Sequence, residues 1–219
     1  MATFTFAPDE PDAGEEGVVL AYLVVHPAGV LLFDTGFGFG SALVEERYHP
    51  RARRLADVLA EQGLAPSDVD AVVNCHLHID HAGQNSVLRS VPIHAQRAEW
   101  QLVQAGQHTI KEWVDFPGAR YELHEGDYRL ARGVGVIATP GHTRGHQSVC
   151  VDTQEGRVIL VGQACYSHDE WVGKPGAREG RSRAPDRAAY DRSLGRLKGM
   201  HPRRVYFAHD RAVWSSGAA

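Results

Sequence analysis

The sequence predicts an α/β fold in which two β-sheets pack together with helices outside. Three observations predict it. The strand-like segments fall into two successive blocks, each closed by a helical segment. With 219 residues, 43% of them hydrophobic, the chain can bury a substantial core, and one domain spanning 1–219 is expected. The residues capable of chemistry lie directly after strands, where loops on a rigid scaffold build sites.

The elements follow in order. Gly17 to His26 and Val30 to Asp34 read as a hairpin turning at Pro27-Ala28-Gly29. Its second strand ends in Asp34-Thr35-Gly36, and Phe37-Gly38-Phe39-Gly40 follows as a glycine-rich loop. From Arg53 to Gly63, Leu55, Val58, Leu59 and Gln62 recur at helical spacing, and Gly63 stops the helix. Ala71-Val72-Val73 is a short apolar strand that empties into a histidine-rich run. Val91 to Ala95 reads as a strand and Gln96 to Gln104 as a helix. After Gly118 the chain is mostly β: Arg120 to His124, Tyr128 to Ala131, Val134 to Thr139, Ser148 to Asp152 and Val158 to Val161. Gln154-Glu155-Gly156 makes the last hairpin turn. Asp186 caps a helix from Arg187 to Met200, with Ala188, Leu194 and Leu197 as its apolar face. Val205-Tyr206-Phe207 is the final strand and delivers His209-Asp210.

Charge and composition exclude some partners. The net charge is −4 and no dense basic stripe occurs, so nucleic acid is not an expected partner. Arg178 to Arg187 reads as a solvated loop, with the rim of a pocket for an anionic substrate as the other reading. No apolar run reaches the roughly 18 residues of a membrane span, and Met1 to Glu16 is acidic rather than a secretory signal. No membrane partner is expected; a homodimer is left open. Cys75, Cys150 and Cys165 show no CxxC spacing and read as buried free thiols, which fits a cytoplasmic location. Cys75 and Cys165 sit beside candidate site residues, without the context of a nucleophile.

His76-Leu77-His78-Ile79-Asp80-His81 carries the chemistry. His76 and His78 are one residue apart, so in an extended segment both side chains leave the same face and reach one ion. Asp80 and His81 lie a turn further on and face a second, neighbouring ion. Imidazole and carboxylate suit Zn, Fe or Mn hydrolytic centres, and the absence of thiolates from the motif points to an open catalytic site. Ala82-Gly83-Gln84-Asn85 is small and polar, as a turn beside crowded ligands should be. His142 follows the strand Val134 to Thr139, and His209 follows Val205 to Phe207. His26, His49, His94, His108, His124, His168 and His201 lack a ligand context, and His146 reads as a structural histidine.

With these residues in place, the chain resembles the metallo-β-lactamase superfamily, through His76-x-His78-x-Asp80-His81, His142 and His209. Within it, the sequence is most similar to the N-acyl homoserine lactonases. That likeness rests on His76 to Asn85, Pro140-Gly141-His142-Thr143-Arg144-Gly145-His146-Gln147-Ser148, Ala164-Cys165-Tyr166 and Ala208-His209-Asp210. The resemblance implies a four-layer αββα sandwich with metals at one edge. It implies that His76, His78 and His142 hold a first metal, and Asp80, His81 and His209 a second. Asp34 corresponds to a carboxylate that orients a ligand histidine. Zinc is the expected cofactor, one or two ions, with Fe, Mn or Co as alternatives.

Where the family carries an aspartate bridging both metals, this chain has Gln163. Two dications about 3.5 Å apart repel by roughly 20 kcal/mol at an effective dielectric of about 20, and a neutral amide offsets little of it. Three outcomes are open: two metals with the second held weakly, one metal in a mononuclear hydrolase, or a non-catalytic binding protein. The expected chemistry is attack of metal-bound hydroxide on a lactone or ester carbonyl, with N-acyl homoserine lactones as leading substrates. Tyr166 stands where the resemblance implies a phenol donating to the oxyanion or leaving alkoxide; packing beside the sheet is the other reading. Asp80 is the implied proton shuttle. Phe37, Phe39, Trp113 and Phe116 either wall an acyl pocket or cover the core. A thioesterase of the glyoxalase II kind is the alternative enzyme, although such enzymes carry extra substrate-binding sequence after the core.

Overall fold

The alternation Leu31-Leu32-Phe33 shows how the layers form. Leu31 and Phe33 enter one apolar cluster and Leu32 a different one on the opposite face. In a computed structural model describing residues 2–107 and 109–217, this strand is the second of a five-stranded sheet.

The strands of the first half are β1 (Ala2–Thr5), β2 (Glu16–Val19), β3 (Tyr22–His26), β4 (Gly29–Phe33), β5 (Arg51–Ala52), β6 (Ala71–Val73), β7 (Pro92–Gln96) and β8 (Arg120–His124). Those of the second half are β9 (Tyr128–Ala131), β10 (Val134–Ala138), β11 (Gln147–Thr153), β12 (Gly156–Leu160), β13 (Arg204–Tyr206) and β14 (Val213–Ser215). The helices are α1 (Ala42–Tyr48), α2 (Leu55–Glu61), α3 (Arg97–Gln104), α4 (Lys111–Val114), α5 (His168–Val172) and α6 (Arg187–Gly199). One sheet has the order β3-β4-β6-β7-β8, the other β14-β13-β12-β11-β10-β9, and a small third sheet runs β2-β1-β5.

Leu31, Phe33, Ala71 and Val73 of the five-stranded sheet pack against Val134, Val136, Val149, Val151 and Leu160 of the six-stranded one. Behind the first sheet, Leu32, Val72 and Ile93 meet Leu55 and Leu59 of α2. Behind the second, Ile159, Val205 and Phe207 meet Trp171 of α5 and Leu197 of α6. The result is the four-layer αββα sandwich. Among the described residues no helix is long and apolar enough to cross a membrane.

The expected single strand Gly17 to His26 is divided. Its first part pairs with β1 and its second with β4, and between them the Leu20 amide donates to Ala208 O at 2.8 Å. The two parts belong to different sheets, so the chain passes close to the His209 loop. The helix expected from Arg53 begins at Leu55 and stops before Gly63, whose φ of 73° supplies the left-handed turn.

The strand directions place the site. β4, β6 and β7 run parallel, as do β12 and β13, and β10 runs parallel to β12 through antiparallel β11. The loops leaving β4, β6, β10, β12 and β13 carry Asp34, His76 to His81, His142, Gln163 and His209 respectively.

Candidate metal centre

Each loop delivers its residues for a local reason. Beyond β6, the His81 and Ala82 amides both bond His78 O, which turns the chain sharply. Gly83 makes the turn possible, since a Cβ there would lie 2.0 Å from the Gly38 nitrogen. Asp34 adopts a left-handed φ of 65°, a strained conformation for a non-glycine residue, and its carboxylate spans the turn. Asp34 Oδ1 accepts from the Cys75 amide at 2.8 Å, and Oδ2 lies 2.9 Å from His81 Nδ1.

Two trios converge. His76, His78 and His142 lie with ring centroids 4.3 to 4.9 Å apart, and His142 Nε2 is 3.2 Å from His78 Nδ1. In the second, His81 Nε2 is 3.2 Å from both His209 Nε2 and Asp80 Oδ2, and His209 Nε2 is 3.8 Å from that oxygen. The structure therefore brings His76, His78, Asp80 and His81 of the motif together with the later His142 and His209.

The hydrogen bonds set the ring tautomers. His81 Nδ1 faces the Asp34 carboxylate, and His209 Nδ1 faces Val18 O at 2.8 Å, so both carry their proton there. Their Nε2 lone pairs consequently face each other and Asp80 Oδ2. Cys75 donates from Sγ to Asp34 Oδ2 at 3.1 Å, and its sulfur lies 3.1 Å from His76 Nδ1. That leaves His76 Nε2 as a buried acceptor with no hydrogen-bond partner, as is Gln163 Oε1. Acceptor atoms crowded around one another repel unless a cation lies between them, so the donor set fits a transition-metal ion.

The electrostatics have the same origin. Burial would lower the His81 pKa, but Asp80, Cys75 and Asp34 outweigh it and raise it well above the imidazole value, so the surroundings of Nε2 favour a positive charge there, whether a proton or a metal ion. Burial would raise Asp80, yet the His81, His209 and His78 rings hold it far below the carboxylate range. His76 is driven well down by burial and then by the neighbouring imidazoles, and His209 falls to about 3 for the same reasons.

Gln163 sits beside these groups on a fixed backbone. Its amide donates to His146 Nε2 at 2.9 Å, so His146 anchors the loop and points no lone pair at the centre. Tyr166 stacks on His209 with ring centroids 4.4 Å apart and planes 10° apart, and its amide donates to Glu170 Oε2 at 2.5 Å. Burial raises the phenol pKa.

A cavity of about 530 Å³ opens beside the centre, lined by His78, Asp80, His142, Gln163, Tyr166 and His209. Its apolar wall is Phe4, Phe37, Val44 and Ile110. Of the four aromatics considered from sequence, Phe37 lines the cavity and Phe116 joins the core behind the first sheet. Trp113 packs, half-buried, on the cluster around Phe4, and Phe39 is 40% exposed beneath Arg54. Arg183, from the Arg-rich stretch, lines the cavity, whereas Arg181 pairs with Asp191 at the surface. His108 lies outside the described residues. Sequence reasoning missed Phe4, the orienting thiol of Cys75 and the buried Glu99; only the position of Cys75 beside His76 offered a signal.

Comparison with known proteins accords with this geometry. The model of the metallo-beta-lactamase superfamily matches residues 14–209. An N-acyl homoserine lactonase of Bacillus sp is 34% identical over 166 residues, 70% of this chain and 66% of that relative. The chain thus spans just under two thirds of the length of the Bacillus relative it matches. The N-acyl homoserine lactonase AttM of Agrobacterium fabrum is 28% identical, with 89% of this chain and 82% of AttM covered. Among solved structures, an N-acyl homoserine lactone hydrolase with N-hexanoyl-L-homoserine bound at its catalytic metal center superposes with a TM-score of 0.78. It is 27% identical and covers 96% of this chain and 90% of its own.

Proposed function

Because the chain belongs to the metallo-β-lactamase superfamily, we propose that it is a metal-dependent hydrolase opening lactones, with N-acyl homoserine lactones as the leading substrates. The observation that carries this reading is the meeting of two ligand trios at the mouth of an apolar-walled cavity. His76, His78 and His142 would hold one ion, and Asp80, His81 and His209 a second, with zinc favoured by the imidazole-rich donor set. A bound ion would supply a water-derived nucleophile at neutral pH and polarise the carbonyl.

The chain's own residues do the rest. Phe4, Phe37, Val44 and Ile110 bury the acyl chain and exclude water from the ring. Tyr166, fixed by its stack on His209 and by Glu170, donates to the oxygen on which charge develops. Asp80, with its side chain 16% exposed toward the cavity, carries a proton to the leaving alkoxide. The three cysteines are buried and free, which supports a cytoplasmic location.

A second reading is a binding protein without turnover. Gln163 favours it, because its neutral Oε1 stands where a bridging anion would stabilise two cations. A panel of lactones in a pH-indicator assay separates the two readings. Ring opening releases acid, and release no greater than the metal-only control would rule out the hydrolase.

A further inference from the structure

We propose that Glu99 is a positioning residue that ties together the two loops carrying the first ligand trio. The inference rests on the metal-centre reading and extends it to a side chain outside the ligand set.

Glu99 lies in the first turn of α3 and is 1% exposed, yet among the described residues it has no ion-pair partner. A buried carboxylate without a cation is costly, so its retention calls for a structural demand that an apolar side chain could not meet. That demand is visible on both sides. Leu77 stands between His76 and His78 in a segment that has left the sheet, and its amide has no strand neighbour. Glu99 Oε1 accepts that amide at 3.0 Å. On the other side, the loop after His142 presses directly on the helix: a Cβ at Gly145 would lie 2.4 Å from the Glu99 nitrogen and 2.5 Å from its Cβ. This close approach brings the Thr143 hydroxyl and the Gly145 amide to the carboxyl, where they oppose the effect of burial. Glu99 Oε2 and Thr143 Oγ1 are both buried and neither is committed to a hydrogen bond elsewhere.

One residue therefore holds the loop of His76 and His78 through its carboxylate and backs the loop of His142 through its backbone and Cβ. The two loops leave different sheets. Asp34 plays the corresponding part for His81 through a direct contact, whereas Glu99 acts on backbone one residue removed from the ligands.

The test uses metal-free protein titrated with Co(II) against a chelator, read by affinity and by the visible Co(II) spectrum. Glu99→Ala is expected to weaken binding by about 10–100-fold and alter the spectrum, as loss of an orienting partner does. Glu99→Gln keeps a carbonyl for the Leu77 amide and gains a donor for Thr143, so it should restore most of the affinity. Thermal melting of each metal-free variant separates misfolding from mispositioning. Should Glu99→Ala fail to fold, Thr143→Val carries the test and is expected to shift the spectrum. Unchanged affinity and spectrum in the folded variant overturn the role of Glu99. An unaltered protein that binds no Co(II) overturns the metal-centre reading itself.

Discussion

The Gln163 amide donates to His146 Nε2 at 2.9 Å, and this contact fixes an entire strand end. With Nε2 accepting, His146 must donate from Nδ1, to Thr139 Oγ1 at 2.8 Å. Thr139 then donates to Ser148 Oγ at 3.0 Å, and Ser148 to Val161 O at 3.0 Å. The relay begins on Gln163 and ends two residues before it. Residues 161–163 are thereby clamped, and the identity of the side chain at 163 becomes a local variable beside the candidate centre.

Gln163→Asp should consequently act without disturbing the fold. A carboxylate beside two dications adds an attraction of several kcal/mol, so affinity for the second ion should rise at least about 100-fold. Elemental analysis should move toward two metals per chain, with a gain in turnover. Two tightly held metals before the change, and no gain after it, would refute this account of position 163.

Gly162 is the second consequence of the clamp. Its φ is +61°, and a Cβ would lie 2.7 Å from Cys75 Cβ and 2.8 Å from His146 Nε2. Gly162→Ala should therefore cost about 1–3 kcal/mol, through strain and overpacking together. Gly195, inside α6 with open space around it, is the contrast. Gly195→Ala should stabilise by up to about 1 kcal/mol. Urea unfolding of both variants checks the opposite signs.

The same contrast explains what could be read from sequence. His76, His78, Asp80 and His81 were legible because period and turn follow from spacing alone, and His142 and His209 because each follows an apolar strand. The two packed sheets with helices outside were legible because the strand-like segments fall into two blocks, each closed by a helical segment. The split at Leu20 was not, because residues 17–26 form one uninterrupted apolar run and only the Ala208 carbonyl reveals the break. α1 was equally hidden, having Val44 as its one buried residue. Phe4 lies in a strand of four residues that pairs with partners elsewhere in the chain. Glu99 resembled a solvent-facing residue of a helix, since its demand arises from a Leu77 amide 22 positions away.

His94 makes stability depend on pH. Its Nδ1 lies 3.0 Å from His124 Nε2, and the rings stack at 5.2 Å with the Tyr128 ring 3.5 Å beyond His124. Burial, and then the neighbouring imidazole, lower the His94 pKa to about 4, and burial lowers His124 as well. The unfolded chain binds the proton more readily, so this stability is fully present above about pH 6.5 and is lost as pH falls toward 4. His94→Gln should flatten the dependence between those limits. Urea midpoints at pH 7.5, 6 and 5 measure it; parallel profiles for the two proteins would contradict the assignment.

Tyr166→Phe isolates the phenol, because the ring stack on His209 and the backbone bond to Glu170 both survive. If the hydroxyl serves the developing charge, kcat should fall about 10–100-fold while KM changes little. Equal effects on both constants would mean that the hydroxyl binds substrate and transition state alike.

Two ion pairs of similar length near the cavity should behave very differently. Arg183 and Asp12 meet at 2.6 Å with side chains 10% and 30% exposed, and Arg47 and Asp9 meet at 2.6 Å with 37% and 69% exposed. The Arg183 guanidinium also lies 4.7 Å from the Phe6 ring and 4.8 Å from the Tyr166 ring, so it is held against the cavity wall. Asp12→Ala leaves this cation, and Arg178 at 3.1 Å from the same carboxylate oxygen, without their shared counter-ion, and the expected loss is about 1–3 kcal/mol, little changed by salt. Asp9→Ala releases a solvated partner and should cost less than Asp12→Ala does. Denaturation in low salt and in 0.5 M NaCl (about four Å of screening) distinguishes the pairs. Equal losses from the two substitutions would mean that Arg183 draws no support from Asp12, and that the stack on Tyr166 and Phe6 holds it alone.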